Sequence, residues 1–125
     1  AEVKLSELAV GIGPFVVGPA VERKIGASAF SELAIDATLW RNADWARGKG
    51  LYAELHPDTA GMDESIRRLA DTLASSSTEA MTEMKKIFWQ GTDHWNEFLI
   101  ERAKISGRLV LSDFTKEAIA KFKTK

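Results

Sequence analysis

Glu7 stands four residues before Gly11, in a stretch (5–26, LSELAVGIGPFVVGPAVERKIG) that is otherwise mostly apolar. That stretch carries Gly11, Gly13 and Gly18 with Pro14 and Pro19 before it turns into a helix. A plain surface helix has no use for such a pattern, whereas a backbone that must come close to a ligand has. A carboxylate at its entrance can serve as a general acid or base. It can equally be a solvated glutamate at the end of an extended segment, and Gly-x-Gly followed by proline can equally be an ordinary turn. The remaining polar residues suggest less. His56 and His94 are too few and too far apart for a metal site, and Asp36, Asp44 and Glu54 have no ligand spacing, so no metal is expected. Arg23 and Lys24 read as a solvated helix face. The absence of cysteine excludes disulfides, thiolate metal sites and cysteine nucleophiles.

The chain has 125 residues, enough for one domain, and 45% of them are aliphatic or aromatic, enough for a packed core. Its 17 basic and 18 acidic residues give a formal charge of −1. That balance offers no basic face, so neither nucleic acid nor an anionic membrane is expected as the main partner. No apolar run reaches the ~18 residues that a membrane span needs. The first residues, AEVKLSEL, lack the charged-then-apolar pattern of a signal peptide, and the expectation is a cytoplasmic chain.

The elements that must position these residues are mostly helical. Val3, Leu5 and Glu7 alternate with their neighbours as in a strand, yet a lone strand followed only by helices has no partner to satisfy its backbone groups, so either the segment is not a strand or the rest of its sheet is missing. Residues 5–17 read as extended or irregular, broken by Gly11, Gly13 and Pro14. One helix is predicted from Gly18-Pro19 to a stop at Gly26, and a second over 28–36 with Phe30, Leu33 and Ala34 in helical spacing. Asn42 caps a short helix over 43–49 closed by Gly50, and 51–55 alternates like a short strand ending before Pro57. An amphipathic helix is predicted over 62–74, with Ile66, Leu69, Ala70 and Leu73 on one face. Ser76 and Glu79 form a capping box for the next helix, which runs to about Gln90 with Met81, Met84, Ile87 and Phe88 on its apolar side. Thr92 caps a long helix over 93–109 with Trp95, Phe98, Leu99 and Ile105 inward. Ser112 or Asp113 caps a last one reaching Phe122. Trp40, Trp45, Trp89 and Trp95 read as packing or interface anchors. Apolar stripes this wide, in a chain this small, often serve a partner as well as the core.

The run Ser6-Glu7-Leu8, then Gly11, then a loop with glycine and proline, then a helix ending Arg23-Lys24-Ile25-Gly26, resembles the middle of the crotonase superfamily, the enoyl-CoA hydratases and isomerases. The stretch from Thr38 through Trp40, Arg41, Asn42 and Trp45 to Gly50-Leu51-Tyr52 and Pro57 is similar to the family's helix, Gly-Leu strand and proline. The helix before the Ser/Thr break, the following helix with Lys85 and Lys86, and the last helix from Asp113 to Phe122 fall in the family's order. The resemblance covers essentially the whole chain, but only the second half of a typical member. The fold class it implies is mainly α: the C-terminal helical (trimerisation) region of a crotonase-type ββα-spiral, preceded by an extended segment from a truncated spiral. Residues 1–57 would be the last part of the spiral core and 58–125 the helical oligomerisation region.

In that family two backbone N–H groups hold the thioester oxygen and stabilise an enolate, while two carboxylates position water and move a proton. The resemblance places the N–H donors and the first carboxylate in the half not present here, and matches Glu7 to the second carboxylate, the catalytic acid/base. It makes Gly11, Gly13 and Phe15 candidates for substrate contact, and lines up Phe122 and Lys125 with residues that touch the coenzyme A of a neighbouring subunit. Ser6 stands where the family has proline, and Phe15-Val16-Val17 replace its glycine-rich loop, bulk that would reshape an acyl pocket. The expected activity is that of an enoyl-CoA hydratase or isomerase on an acyl-CoA, with no cofactor beyond the coenzyme A thioester itself. The expected partner is a second copy, in a trimer or hexamer, and this half alone should be inactive. The alternative is a helical self-association or protein-interaction module in which Glu7 has no part.

Overall fold

The computed structural model describes residues 1–124, and Lys125, one of the substrate-contact candidates, lies outside the described residues. The chain opens with a two-residue strand, β1 (Glu2–Val3), and a 3-10 turn (Glu7–Val10). Then come α1 (Gly18–Ile35), a second strand β2 (Arg41–Asn42) and the helices α2 (Ala43–Gly48), α3 (Thr59–Ala74), α4 (Thr78–Phe88), α5 (Trp95–Val110) and α6 (Asp113–Lys123). The chain divides into two compact units, one made of Ala1–Ala53 with the segment from Asn96 onward, the other of Glu54–Trp95.

In the first unit, the strand predicted to run as far as Glu7 ends at Val3, and it is not without a partner. β1 pairs antiparallel with β2, Glu2 opposite Asn42 and Val3 opposite Arg41. A ladder lasts only as long as its partner offers backbone groups, and β2 stops where Asn42 caps α2 by accepting from the Trp45 amide at 2.8 Å. Arg41 ties this ladder to α1: its Nη2 lies 3.1 Å from Glu32 Oε1 and 3.4 Å from Asp36 Oδ2. Its guanidinium also stands over the Trp45 ring at 5.6 Å, and Lys4 Nζ lies 4.4 Å from the centre of the Trp40 ring.

The two helices predicted on either side of Gly26 are the two limbs of α1. Gly26 has φ 82° and ψ 163°, a non-helical conformation essentially confined to glycine. The bend is sharp. In a straight helix residues 18 and 30 would stand ~18 Å apart, yet a Cβ on Gly18 would lie only 2.9 Å from Phe30 Cζ. Buried apolar residues of this unit include Ala29, Leu33, Ala37 and Ala46.

In the second unit, Asp58 caps α3 by accepting from the Gly61 amide at 2.8 Å, so the helix starts at Thr59, three residues before Met62. The cap of α4 is Ser77, accepting from Ala80 N, and not Ser76. Ser76 Oγ instead donates to the Thr72 carbonyl at 2.7 Å and closes α3. The long helix starts at Trp95, and the Thr92 hydroxyl donates back to the Trp89 carbonyl at 2.6 Å. The predicted strand over 51–55 does not form. Its alternation is present, but among the described residues it pairs with no strand. Trp89 and Trp95 meet edge to face at 5.9 Å. The apolar faces of α3 and α4 form as predicted but stay exposed, Ile66 at 56% and Ile87 at 63%, and no described residue of this unit is buried.

No helix is long and apolar enough to cross a membrane among the described residues.

Candidate functional site

Glu7 is the first residue of the 3-10 turn and not the end of a strand. The turn closes at Gly11, whose amide donates to the Leu8 carbonyl at 3.1 Å, and Ile12 N donates to the Glu7 carbonyl at 3.0 Å. Gly11 needs its missing side chain twice over: it has φ 82°, and a Cβ there would lie 2.5 Å from Phe114 Cδ1 and 2.7 Å from Thr115 Oγ1. The Glu7 turn therefore rests directly on the start of α6, and it also touches α1. One oxygen of the Glu7 carboxylate, Oε2, is buried and has no hydrogen-bond partner among the described residues. A buried carboxylate oxygen without a donor is costly, so its retention needs an account beyond a solvated glutamate.

The loop beyond is folded on itself. Phe15 N donates to the Gly13 carbonyl at 2.8 Å, and the Phe15 ring lies over Gly13, where a Cβ would meet its Cζ at 2.6 Å. Gly18 N donates to the Pro14 carbonyl at 2.8 Å and leads into α1.

A cavity of about 280 Å³ lies beside the turn, lined by Ala9 together with Phe114, Glu117, Ala118, Lys121 and Phe122. Its size is at the lower edge of the ~300–1,000 Å³ usual for small-molecule sites. Phe122, 71% exposed, is thus brought beside the turn that carries Glu7, while Glu7 itself is not among the lining residues. Gly11 is joined to Glu7 by the turn, and Gly13 to Phe15 by the ring contact. Sequence reasoning passed over Phe114, Thr115, Glu117, Ala118 and Lys121. The signal was available for part of this set, since Phe114, Ala118 and Phe122 recur every four residues on one helix face. Arg23 and Lys24 are exposed on the first limb of α1.

A second polar cluster lies elsewhere, in the second unit. Ser65 Oγ donates to Glu54 Oε2 at 2.5 Å, and His56 Nε2 lies 2.9 Å from the same oxygen. The Ser65 hydroxyl, with smaller help from His56 and Arg68 and against partial burial, holds the Glu54 carboxyl below its ordinary value. Serine here faces the carboxylate and not the imidazole, so the trio is not built to activate a nucleophile. No group of three or more His, Cys, Asp or Glu able to hold a metal ion occurs among the described residues.

No family model matches the sequence. No curated protein matches it either. Among solved structures, the chain is similar to the crystal structure of a protein from Acinetobacter baumannii inferred to be an enoyl-CoA hydratase/isomerase, at a TM-score of 0.77 and 20% identity. The match covers 94% of this chain and 49% of that one, so the chain spans about half the length of the structure it resembles. Its fold is that of the C-terminal helical part of a crotonase-type protein.

Proposed function

We propose that this chain forms the C-terminal half of an enzyme acting on acyl-CoA thioesters, of the enoyl-CoA hydratase or isomerase kind. Glu7 is its proton-transferring carboxylate. The observation that carries this reading is the buried, unpartnered Oε2 of Glu7, on a tight turn beside a glycine-bearing loop. The fold likeness supports it. In the reaction the protonated Glu7 carboxyl gives its proton to the carbon α to the thioester as the enolate collapses, and takes it back in the reverse direction. Gly11, Gly13 and Phe15 shape the acyl side, and Phe122, with Lys125, meets the coenzyme A. The thioester is the substrate and no further cofactor is needed. The enzyme works as a homo-oligomer, a trimer or hexamer, in the cytoplasm. Stabilisation of the enolate oxygen falls to the other half.

Two measurements test this. The chain by itself should not turn over crotonyl-CoA, because oxyanion donors are each worth ~10²–10³ in rate and this half supplies none. In a protein carrying both halves, Glu7→Gln keeps the side chain's shape but cannot carry the proton. There kcat should fall ~10²–10⁴-fold with little change in the affinity for a product analogue. A near-normal kcat would remove Glu7 from the mechanism. It would favour the second reading, a helical self-association module, which the exposed apolar faces of α3 and α4 support.

A further inference from the structure

The turn that carries Glu7 has little to hold itself in place. It is four residues long, Ser6 at its start makes no side-chain cap, and none of its residues is buried. Hydrogen bonds of 3-10 geometry are poorer than those of an α-helix. Its orientation must therefore come from what it rests on, and at Gly11 that is Phe114 and Thr115 of α6.

Thr115 is the unusual member of that pair. It is 0% exposed, a buried polar residue where the other buried positions of this unit are glycine, alanine and leucine. Burying a hydroxyl is unfavourable unless it is bonded. Here it is: Ser112 Oγ lies 3.2 Å from Thr115 Oγ1, and the Thr115 amide donates to the same Ser112 oxygen at 3.3 Å. Ser112 is also the cap of α6. One hydroxyl pair thus closes the first turn of α6 on one side, while on the other Thr115 Oγ1 stands where a side chain on Gly11 would have to go.

We propose that Thr115 is a positioning residue: fixed by the Ser112 cap, it sets the Glu7–Val10 turn and through it the Glu7 carboxylate. The significance of that placement rests on the role proposed for Glu7, but the placement itself does not.

The test uses the chain itself. The Ile12 amide, bonded to the Glu7 carbonyl, reports closure of the turn, and the Lys116 amide, bonded to the Ser112 carbonyl at 3.0 Å, reports the start of α6. Amide exchange at both sites and the carboxyl carbon resonance of Glu7, assigned with Glu7→Gln, are followed in Thr115→Ser, Thr115→Val and Thr115→Ala. Thr115→Ser keeps the hydroxyl and should leave all three signals near wild type. Thr115→Val and Thr115→Ala should speed Ile12 exchange ~10-fold and move the Glu7 resonance while Lys116 stays protected. Unchanged Ile12 exchange and Glu7 resonance in both variants would overturn the proposal. So would loss of Ile12 and Lys116 protection together in all three, which would make Thr115 a folding residue of α6 only. If Thr115→Ala alone unfolds α6, Thr115→Val, which keeps the volume, decides. A moved Glu7 resonance, combined with a normal kcat for Glu7→Gln in a protein carrying both halves, would leave the positioning intact and remove the catalytic role.

Discussion

At the scale of single residues, the site is a matter of where a side chain is missing. Gly11 and Gly26 share φ 82°, but they differ in what surrounds them. A Cβ on Gly11 would collide with Phe114 and Thr115, whereas one on Gly26 would meet nothing within 4 Å. Gly26→Ala should therefore cost only backbone strain, about 1–3 kcal/mol. Gly11→Ala adds about 1–3 kcal/mol of overpacking to a left-handed penalty of about 1–2 kcal/mol. Urea unfolding of the two variants should rank Gly11→Ala as clearly the less stable, and equal midpoints would mean that α6 does not press on the turn. Glu7 and Gly11 were legible because an apolar stretch holding a carboxylate and several glycines is locally odd. Thr115 was not. It lies about a hundred residues from the backbone it supports, and a threonine in the first turn of a helix carries no local sign of being buried. The cavity shared by Ala9 and Phe122 is long-range for the same reason.

At the scale of elements, what could be read was what local chemistry decides. Asn42 caps the helix it was expected to cap, and Ser112, of the two candidates Ser112 and Asp113, caps α6, because a short polar side chain satisfies an orphan amide wherever a helix begins. Ser76 and Ser77 show the limit. With three serines in a row both a helix end and a helix start compete for hydroxyls, and the division between Thr72 and Ala80 follows from spacing that the sequence leaves open. The strands were misjudged in length, since pairing depends on a partner and alternation reports only which side a residue could face. In the second unit Glu54, Ser65 and His56 tie the segment before α3 to its second turn. This tie has a direction in pH. A carboxylate held below its ordinary value contributes stability that is present above that value and is lost as pH falls through its own lower one. The Glu54 carboxyl should thus titrate below 4.5, and Ser65→Ala, which removes the largest cause, should bring its midpoint back up toward 4.5. A carbon-detected titration of both proteins checks this, and an unmoved midpoint in Ser65→Ala would assign the effect to His56 or Arg68.

At the scale of the whole molecule, the second unit leaves large apolar side chains in water. Met62, Ile66, Leu69 and Leu73 form one stripe along α3, and Met84, Ile87 and Phe88 another along α4. Exposed stripes of that size rarely remain uncovered in a soluble monomer. By itself the chain should therefore self-associate at tens of micromolar, on the scale where exposed apolar surface drives association. Sedimentation velocity should show species heavier than 13.8 kDa that grow with concentration. The double substitution Ile66→Glu and Ile87→Glu places a charge on each stripe without touching a buried residue, so helix content by circular dichroism should hold while the sedimenting species shift toward monomer. If wild type sediments as a clean monomer at these concentrations, self-association through these faces is wrong. If the double variant remains as large as wild type, the contact lies on another surface, and the exposed residues at the end of α5 and along α6, Leu111, Phe114 and Phe122 among them, are the next to charge.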